Sequence, residues 1–374
     1  METHGHILVD RELKPLCGTA IRAQDPSRPL ADTQVSPASI DLRLGSQGWR
    51  MRAGFLPGRE PVERTICDLA LAPIDLLHGA VLERGVVYLI ELEEALALPE
   101  DLRARFNPRS STGRCDIFTR VLCDGHPRFD ETPNGYHGKL WIEISPLSFP
   151  VRLQRGDRLT QLRLSRGNPA YTGAELRELY ARTPLLWHTQ PDGSTRPVPL
   201  AEARIGEDGT LEVSVGLKGR EPSGWRSATH TDLVEFSRDG AHEAAEFWEP
   251  VRAHDGRCIL APESFYIFAS KERLVVPPEV AAEMLPIDVG IGELRNNYAG
   301  FFDNGFGWRE GGDGTPAVLE VRAHDVPFLV EDGQPFCRLR YFRTNGPPAK
   351  LYGAGRPSYQ GQDLTLARCF RTAP

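Results

Sequence analysis

Apolar and polar residues alternate in short runs along most of this chain. In Leu140-Trp141-Ile142-Glu143-Ile144, period two sets Leu140, Ile142 and Ile144 on one face of a strand, with Trp141 and Glu143 on the other. Gln161-Leu162-Arg163-Leu164 alternates likewise after a turn at Arg155-Gly156-Asp157. Helical spacing is scarce. It appears in Gly173 to Arg182 and Asp68 to Leu77, with a single turn expected at Pro278 to Met284. Many short strands punctuated by turn residues predict an all-β chain, built as barrels or sandwiches.

The pattern also repeats. KLWIEISPLSFPVRLQRGDRLTQLRL (from Lys139) aligns with AVLEVRAHDVPFLVEDGQPFCRLRY (from Ala317). Glu143 faces Glu320, Pro150 faces Pro327, Gly156 faces Gly333 and Leu162 faces Leu339, every pair 177 residues apart. Upstream, Ala80 to Asp101 resembles Cys258 to Val280, with Tyr88 facing Tyr266 and Pro99 facing Pro277. A fixed register over so long a stretch is the mark of a tandem repeat. The polar, proline-rich stretch Thr183 to Asp208 supplies a boundary, giving domains of residues 1–190 and 191–374.

Composition narrows the function. The 374 residues suffice for two sizeable cores, and 40% hydrophobic with 25% charged residues is ordinary for a globular protein. A net charge of −7 offers no basic field for a nucleic-acid polymer or an anionic membrane, so any anion must be bound locally. No apolar run is long enough to span a bilayer, and Met1 to Asp10 lacks a signal-peptide core. Seven scattered cysteines read as reduced thiols, which places the expectation in the cytoplasm.

Three segments carry chemistry. Arg109-Ser110-Ser111-Thr112-Gly113-Arg114 sets two guanidinium groups around two hydroxyls, a composition suited to a polyphosphate, although Arg/Ser turns are also common on surfaces. In Phe129 to Glu143, Asp130 precedes a Gly-Tyr-x-Gly turn and could hold a sugar hydroxyl. Glu143 then sits mid-strand among apolar residues; burial would raise its pKa toward that of a general base, whereas a strand glutamate is more commonly solvent-exposed. The tail, Ser358-Tyr359-Gln360-Gly361-Gln362-Asp363-Leu364-Thr365, reads as a polar terminus without a core-forming pattern, ordering only around a ligand.

In this order and spacing the segments resemble the dCTP deaminases, within the superfamily that includes the homotrimeric dUTPases. PASIDLRLG (Pro37 to Gly45) is similar to the family's early strand motif, and RSSTGR to its phosphate motif. RFD followed by GYHG resembles its nucleoside hairpin, LWIE its catalytic strand, and PVRLQRGDRLTQLRL its closing strand pair. SYQGQDLTLAR (Ser358 to Arg368) resembles the tail that closes over the triphosphate. Arg120 to Gly138 is longer than the family loop. The second copy has LPIDVGIGELRNN (Leu285 to Asn297) where the first has its arginine-serine cluster.

The resemblance implies two tandem dUTPase-like domains, each a distorted β-barrel or jelly roll. The first (1–190) would be catalytic; the second (191–374) would have a degenerate site and contribute the tail. It implies hydrolysis of dCTP to dUTP and ammonia, with Glu143 activating the water and Ser110 positioning it. Arg109, Ser111 and Arg114 would hold the triphosphate with Tyr359 and Gln362, and Asp130 would meet the deoxyribose 3′-hydroxyl. Mg²⁺ would ride on the triphosphate. The zinc deaminase signature H-x-E…P-C-x-x-C is absent from the sequence, so no zinc is expected. The partner is a small nucleotide, and the assembly a homo-oligomer, with a trimer favoured. The alternatives are a dUTP diphosphatase or bifunctional deaminase making dUMP, a non-catalytic nucleotide-binding protein, and a structural β-barrel.

Overall fold

A computed structural model describes residues 5–58, 60–285, 294–296 (backbone only), 300–309, 313–323, 325–354 and 359–371. It is mainly β with a few short helices, as the alternation predicts. The chain forms two compact units. The N-terminal unit comprises 10–167 with 229–247 and 367–374; the C-terminal unit comprises 1–9, 168–228 and 248–366. The expected cut after residue 190 falls inside the C-terminal unit, and two later segments return to the N-terminal one.

Within the N-terminal unit, one sheet runs Ala70–Asp75, Leu44–Met51, Val87–Ala97, His137–Pro146, Ile117–Cys123. Strand Thr160–Arg166 lies between Ile40–Leu42 and Leu102–Pro108. The C-terminal unit repeats much of this pairing in the same register. Tyr88 and Leu89 face Ile144 and Glu143 in the first unit; Tyr266 and Ile267 face Val321 and Glu320 in the second. Leu162 pairs with Phe106 and Ile40, and Leu339 with Met284 and Leu211. Val151 faces Leu82 as Phe328 faces Leu260. Even side-chain bonds are duplicated: the Tyr88 hydroxyl accepts the Glu83 N–H at 3.0 Å, and the Tyr266 hydroxyl accepts the Ala261 N–H at 2.9 Å. Gly156 and Gly333 both turn the chain at positive φ, 90° and 82°, where a Cβ would be strained.

Several local expectations are corrected. Gly173–Arg182 is helical, capped by Thr172 and Glu175, but Asp68 to Leu77 is not. The helix there is Val62–Leu69, and Ala70–Asp75 pairs as an edge strand with Leu44–Met51. Val280–Leu285 is a strand rather than a helical turn, because both its flanks find ladder partners. The proline-rich stretch after Thr183 folds into a hairpin of Leu186–Thr189 on Thr195–Pro197. The tail is not core-free: Tyr359, Leu366, Ala367, Cys369 and Phe370 are buried. Phe370 pairs with His242 and packs against Phe247 and Phe149 at ring distances of 5.3 and 6.1 Å, which draws both late segments into the N-terminal unit. Most of LPIDVGIGELRNN lies outside the described residues, as does Ser358.

The duplicated tyrosine bond generates a test. Tyr88→Phe and Tyr266→Phe should each lower unfolding free energy by about 1 kcal/mol, since each removes one intramolecular hydrogen bond. Urea denaturation measures this, and no loss in either variant would show that the hydroxyl is dispensable.

Candidate functional site

The period-two face holding Trp141 and Glu143 is covered, not solvated. Trp141, Leu89, Leu122, Met51, Val62 and Ile66 form a small core, with Trp49, Phe55 and Phe129 packed on it. Its lid is the crossing from Met51 into helix Val62–Leu69. Glu143 is therefore only 5% exposed, on a strand whose other face is the main core. Leu89 lies opposite it on one side and Arg120 on the other. Burial raises the Glu143 pKa, opposed by the Arg120 guanidinium and by the Phe55 N–H donated to the carboxylate. Arg120 is itself held between the Phe118 and Phe129 rings, 4.5 Å from each centroid.

Asp130 lies in the same hairpin loop with φ 60°, in the left-handed region that aspartate tolerates better than most residues. Its carboxylate accepts the Val121 N–H at 2.8 Å. Burial of the carboxyl pushes its pKa up to about 7, with Val121, Arg120 and Arg105 opposing and Glu143 reinforcing the rise.

The arginine-serine cluster is a second centre. Ser110–Arg114 forms one helical turn with Arg109 at its N-cap. Arg109 and Ser111 line a cavity of about 270 Å³, together with Arg158, Ser237, Asp239 and Arg368. Asp41 fixes two of these arginines from behind, 3.3 Å from Arg109 and 3.7 Å from Arg158. Asp157, also in the wall, spends its carboxylate on the Gln154 N–H and the Ser237 hydroxyl. Burial lowers the Arg158 pKa, and the like charges of Arg109 and Arg43 add to the strain while Asp41 relieves it. Such a crowd of guanidinium groups favours an anion between them. Ser110 is exposed and Arg114 is buried at 5%; neither belongs to the wall.

Sequence reasoning missed Arg158, Ser237 and Arg368. Arg158 was readable as the last residue of the RGDR turn; Ser237 and Arg368 arrive only through segments that rejoin the N-terminal unit. The structure brings Glu143, Arg120 and Asp130 together, and separately Arg109 and Ser111. No hydrogen bond or ion pair joins Glu143 to Ser110. Tyr359 and Gln362 lie in the C-terminal unit, where the Tyr359 N–H donates to the Tyr352 hydroxyl at 3.3 Å. Next to them Gln360 binds the Gly305 carbonyl and the Gly307 N–H.

Comparison with known proteins shows the family. The model of the 2′-deoxycytidine 5′-triphosphate deaminase N-terminal domain matches residues 5–168, and that of its C-terminal domain residues 172–370. The chain belongs to the dCTP deaminase family. The crystal structure of 2′-deoxycytidine 5′-triphosphate deaminase from Agrobacterium tumefaciens superposes with TM-score 0.82 and 41% identity, covering 92% of this chain and 100% of that one. The dCTP deaminase, dUMP-forming, of Methanothermobacter thermautotrophicus is 30% identical over 158 residues, which is 42% of this chain and 77% of the relative. The dCTP deaminase of Haloarcula marismortui is 34% identical over 137 residues, 35% of this chain and 66% of the relative. Among the described residues of this family member, no helix is long and apolar enough to cross a membrane. All seven cysteines are free thiols.

The raised pKa of Asp130 has a consequence for stability. The folded protein keeps this proton up to about pH 7, whereas the unfolded chain releases it near pH 4. Its stabilising contribution is therefore present in acid and lost as pH rises to about 7. Asp130→Asn keeps the acceptor for Val121 and removes the charge. Its Tm relative to wild type should be more favourable at pH 8 than at pH 5; a difference independent of pH would mean that the carboxyl is solvated.

Proposed function

We propose that this protein hydrolyses dCTP to dUTP and ammonia, with Glu143 as the base that activates water. The observation that carries the reading is the buried Glu143 carboxylate, set against Arg120 in a sheet whose duplicate lacks the arginine-serine cluster. Water attacks cytosine C4 as Glu143 takes its proton; Glu143 returns that proton to N3, then moves the hydroxyl proton to the amine, and ammonia departs. Water, dCTP, dUTP and ammonia balance, and the carboxylate is regenerated. A desolvated carboxylate suits this work because it accepts and releases protons closer to neutrality than a solvated one.

The triphosphate is assigned to the cavity of Arg109, Ser111, Arg158 and Arg368, with Arg114 supporting the turn behind it. At about 270 Å³ the cavity lies below the roughly 300–1,000 Å³ of sites that enclose a whole ligand, which fits a phosphate chain better than an entire nucleotide. Mg²⁺ belongs to the substrate, carried on its phosphates. Asp130 is assigned to the deoxyribose. Water activation without zinc is part of the same proposal. Among the described residues, no three His, Cys, Asp or Glu side chains converge as a metal site.

No hydrogen bond or ion pair joins Glu143 to Ser110 within one chain. This supports a homo-oligomer, with a trimer favoured, in which one copy supplies the base and another the phosphate cluster. A second product has a specific observation behind it: the Methanothermobacter relative is named dUMP-forming. Release of pyrophosphate alongside ammonia from dCTP would establish dUMP as the product here.

Product chromatography of dCTP reactions tests the reading directly. Glu143→Gln should abolish ammonia release yet bind dCTP, because glutamine keeps the shape and loses the base. Glu320→Gln, its structural duplicate, should keep kcat within about threefold of wild type, under about 0.7 kcal/mol in the barrier. An active Glu143→Gln enzyme would overturn the assignment.

The phosphate cavity has its own test. Arg158→Ala and Arg368→Ala should each raise the KM for dCTP about ten- to a hundredfold, the loss of one charge-assisted contact. Unchanged KM in both, with Arg109→Ala impaired, would confine phosphate binding to the arginine-serine motif.

A further inference from the structure

We infer that Gly54, with Phe55 packed beside it, positions the Glu143 carboxylate by lacking a side chain. This rests on the role proposed for Glu143. A Cβ on Gly54 would lie 2.3 Å from Glu143 Oε2, 3.0 Å from Cδ and 3.2 Å from Oε1. Its φ is not positive, so the glycine serves space rather than backbone conformation. Any side chain there must displace the carboxylate itself.

The crossing that carries the pair is pinned at both ends. The Arg52 N–H bonds the Leu69 carbonyl at 2.9 Å, and the Val62 N–H bonds Asp124 Oδ1 at 2.7 Å. Lys139 then ties Glu63 to Glu91, at 2.8 and 3.1 Å. Phe55 packs into the same small core as Trp141 and Phe129. The backbone above Glu143 is thus held from the helix, the hairpin loop and the strand, and close approach at Gly54 fixes where the carboxylate can sit. Fixing a base to a fraction of an ångström is worth a large factor in rate.

Gly54→Ala in the full-length enzyme should lower kcat about ten- to a hundredfold while the KM for dCTP stays within about twofold. Gly58→Ala, whose added Cβ meets nothing within 4 Å, should leave both constants at wild type. Should Gly54→Ala fold poorly, the background variant Glu143→Asp decides: the shorter carboxylate retreats from the added methyl, so Gly54→Ala should lower Tm less in that background. Wild-type kcat in Gly54→Ala, an equal kcat loss in Gly58→Ala, or the same Tm loss in both backgrounds would overturn the inference. Each result is distinct from failure of the proposed function, which an active Glu143→Gln enzyme would show.

Discussion

The carboxylate of Glu94 is fully buried, and the arrangement of the N-terminal unit follows from keeping it paired. Arg43 meets it twice, through Nε at 2.7 Å and its backbone N–H at 2.8 Å, and Gln34 adds a third donor at 2.9 Å. Even so, burial lifts the Glu94 pKa. Removing one partner of a buried pair costs about 3–5 kcal/mol, so Arg43 has little freedom. Through Glu93 the lattice reaches Arg155 at 2.6 Å and Arg28 at 3.1 Å, and so the Gly156 turn. Asp41, two residues before Arg43, then sets Arg109 and Arg158. The cavity lined by Arg109 and Arg158 is the outer edge of an ionic lattice whose centre is buried.

Much of this was legible in the sequence where local pattern and structure share a cause. Period two requires strands, and the 177-residue register reappears as identical ladders because matched side chains fill matched places. The burial of Glu143 was not legible, since alternation assigns it a face but not what covers that face. The cover comes from Met51 to Leu69, remote in sequence, and an isolated window cannot supply it. Helix Val62–Leu69 was placed six residues late for a related reason: the apolar residues of ALAPID, which continue a helical spacing, are claimed by an edge ladder. The tail misled by composition. Polar Ser358 to Gln362 hid the apolar run that follows, which ends in Phe370 packed against Phe149.

The two copies show which constraints belong to the fold and which to chemistry. The tyrosine acceptors, the glycine turns, and the side-chain bonds that close them persist in both; Asp157 caps Gln154 as Gln334 caps Glu331. These close turns that any chain of this shape must make. The arginine-serine cluster has no such duty and is present once. Glu143 and Glu320 fall between the classes. Both are buried at the same ladder position, so the fold accommodates a carboxylate there whether or not substrate is held against it.

Glu143 itself sits under a balance of opposing fields. Burial alone would hold the proton too tightly for the group to act as a base on water. A facing arginine alone would make the carboxylate too weak a base to take the proton. Glu143 has both, with Arg120 opposite and the Phe55 N–H above, and the partly protonated Asp130 adds a like charge nearby as pH rises. Each influence comes from a different element: the hairpin strand, the crossing over the sheet, and the loop that would meet the sugar. A change in any of them shifts the readiness of the same carboxylate to take or release a proton.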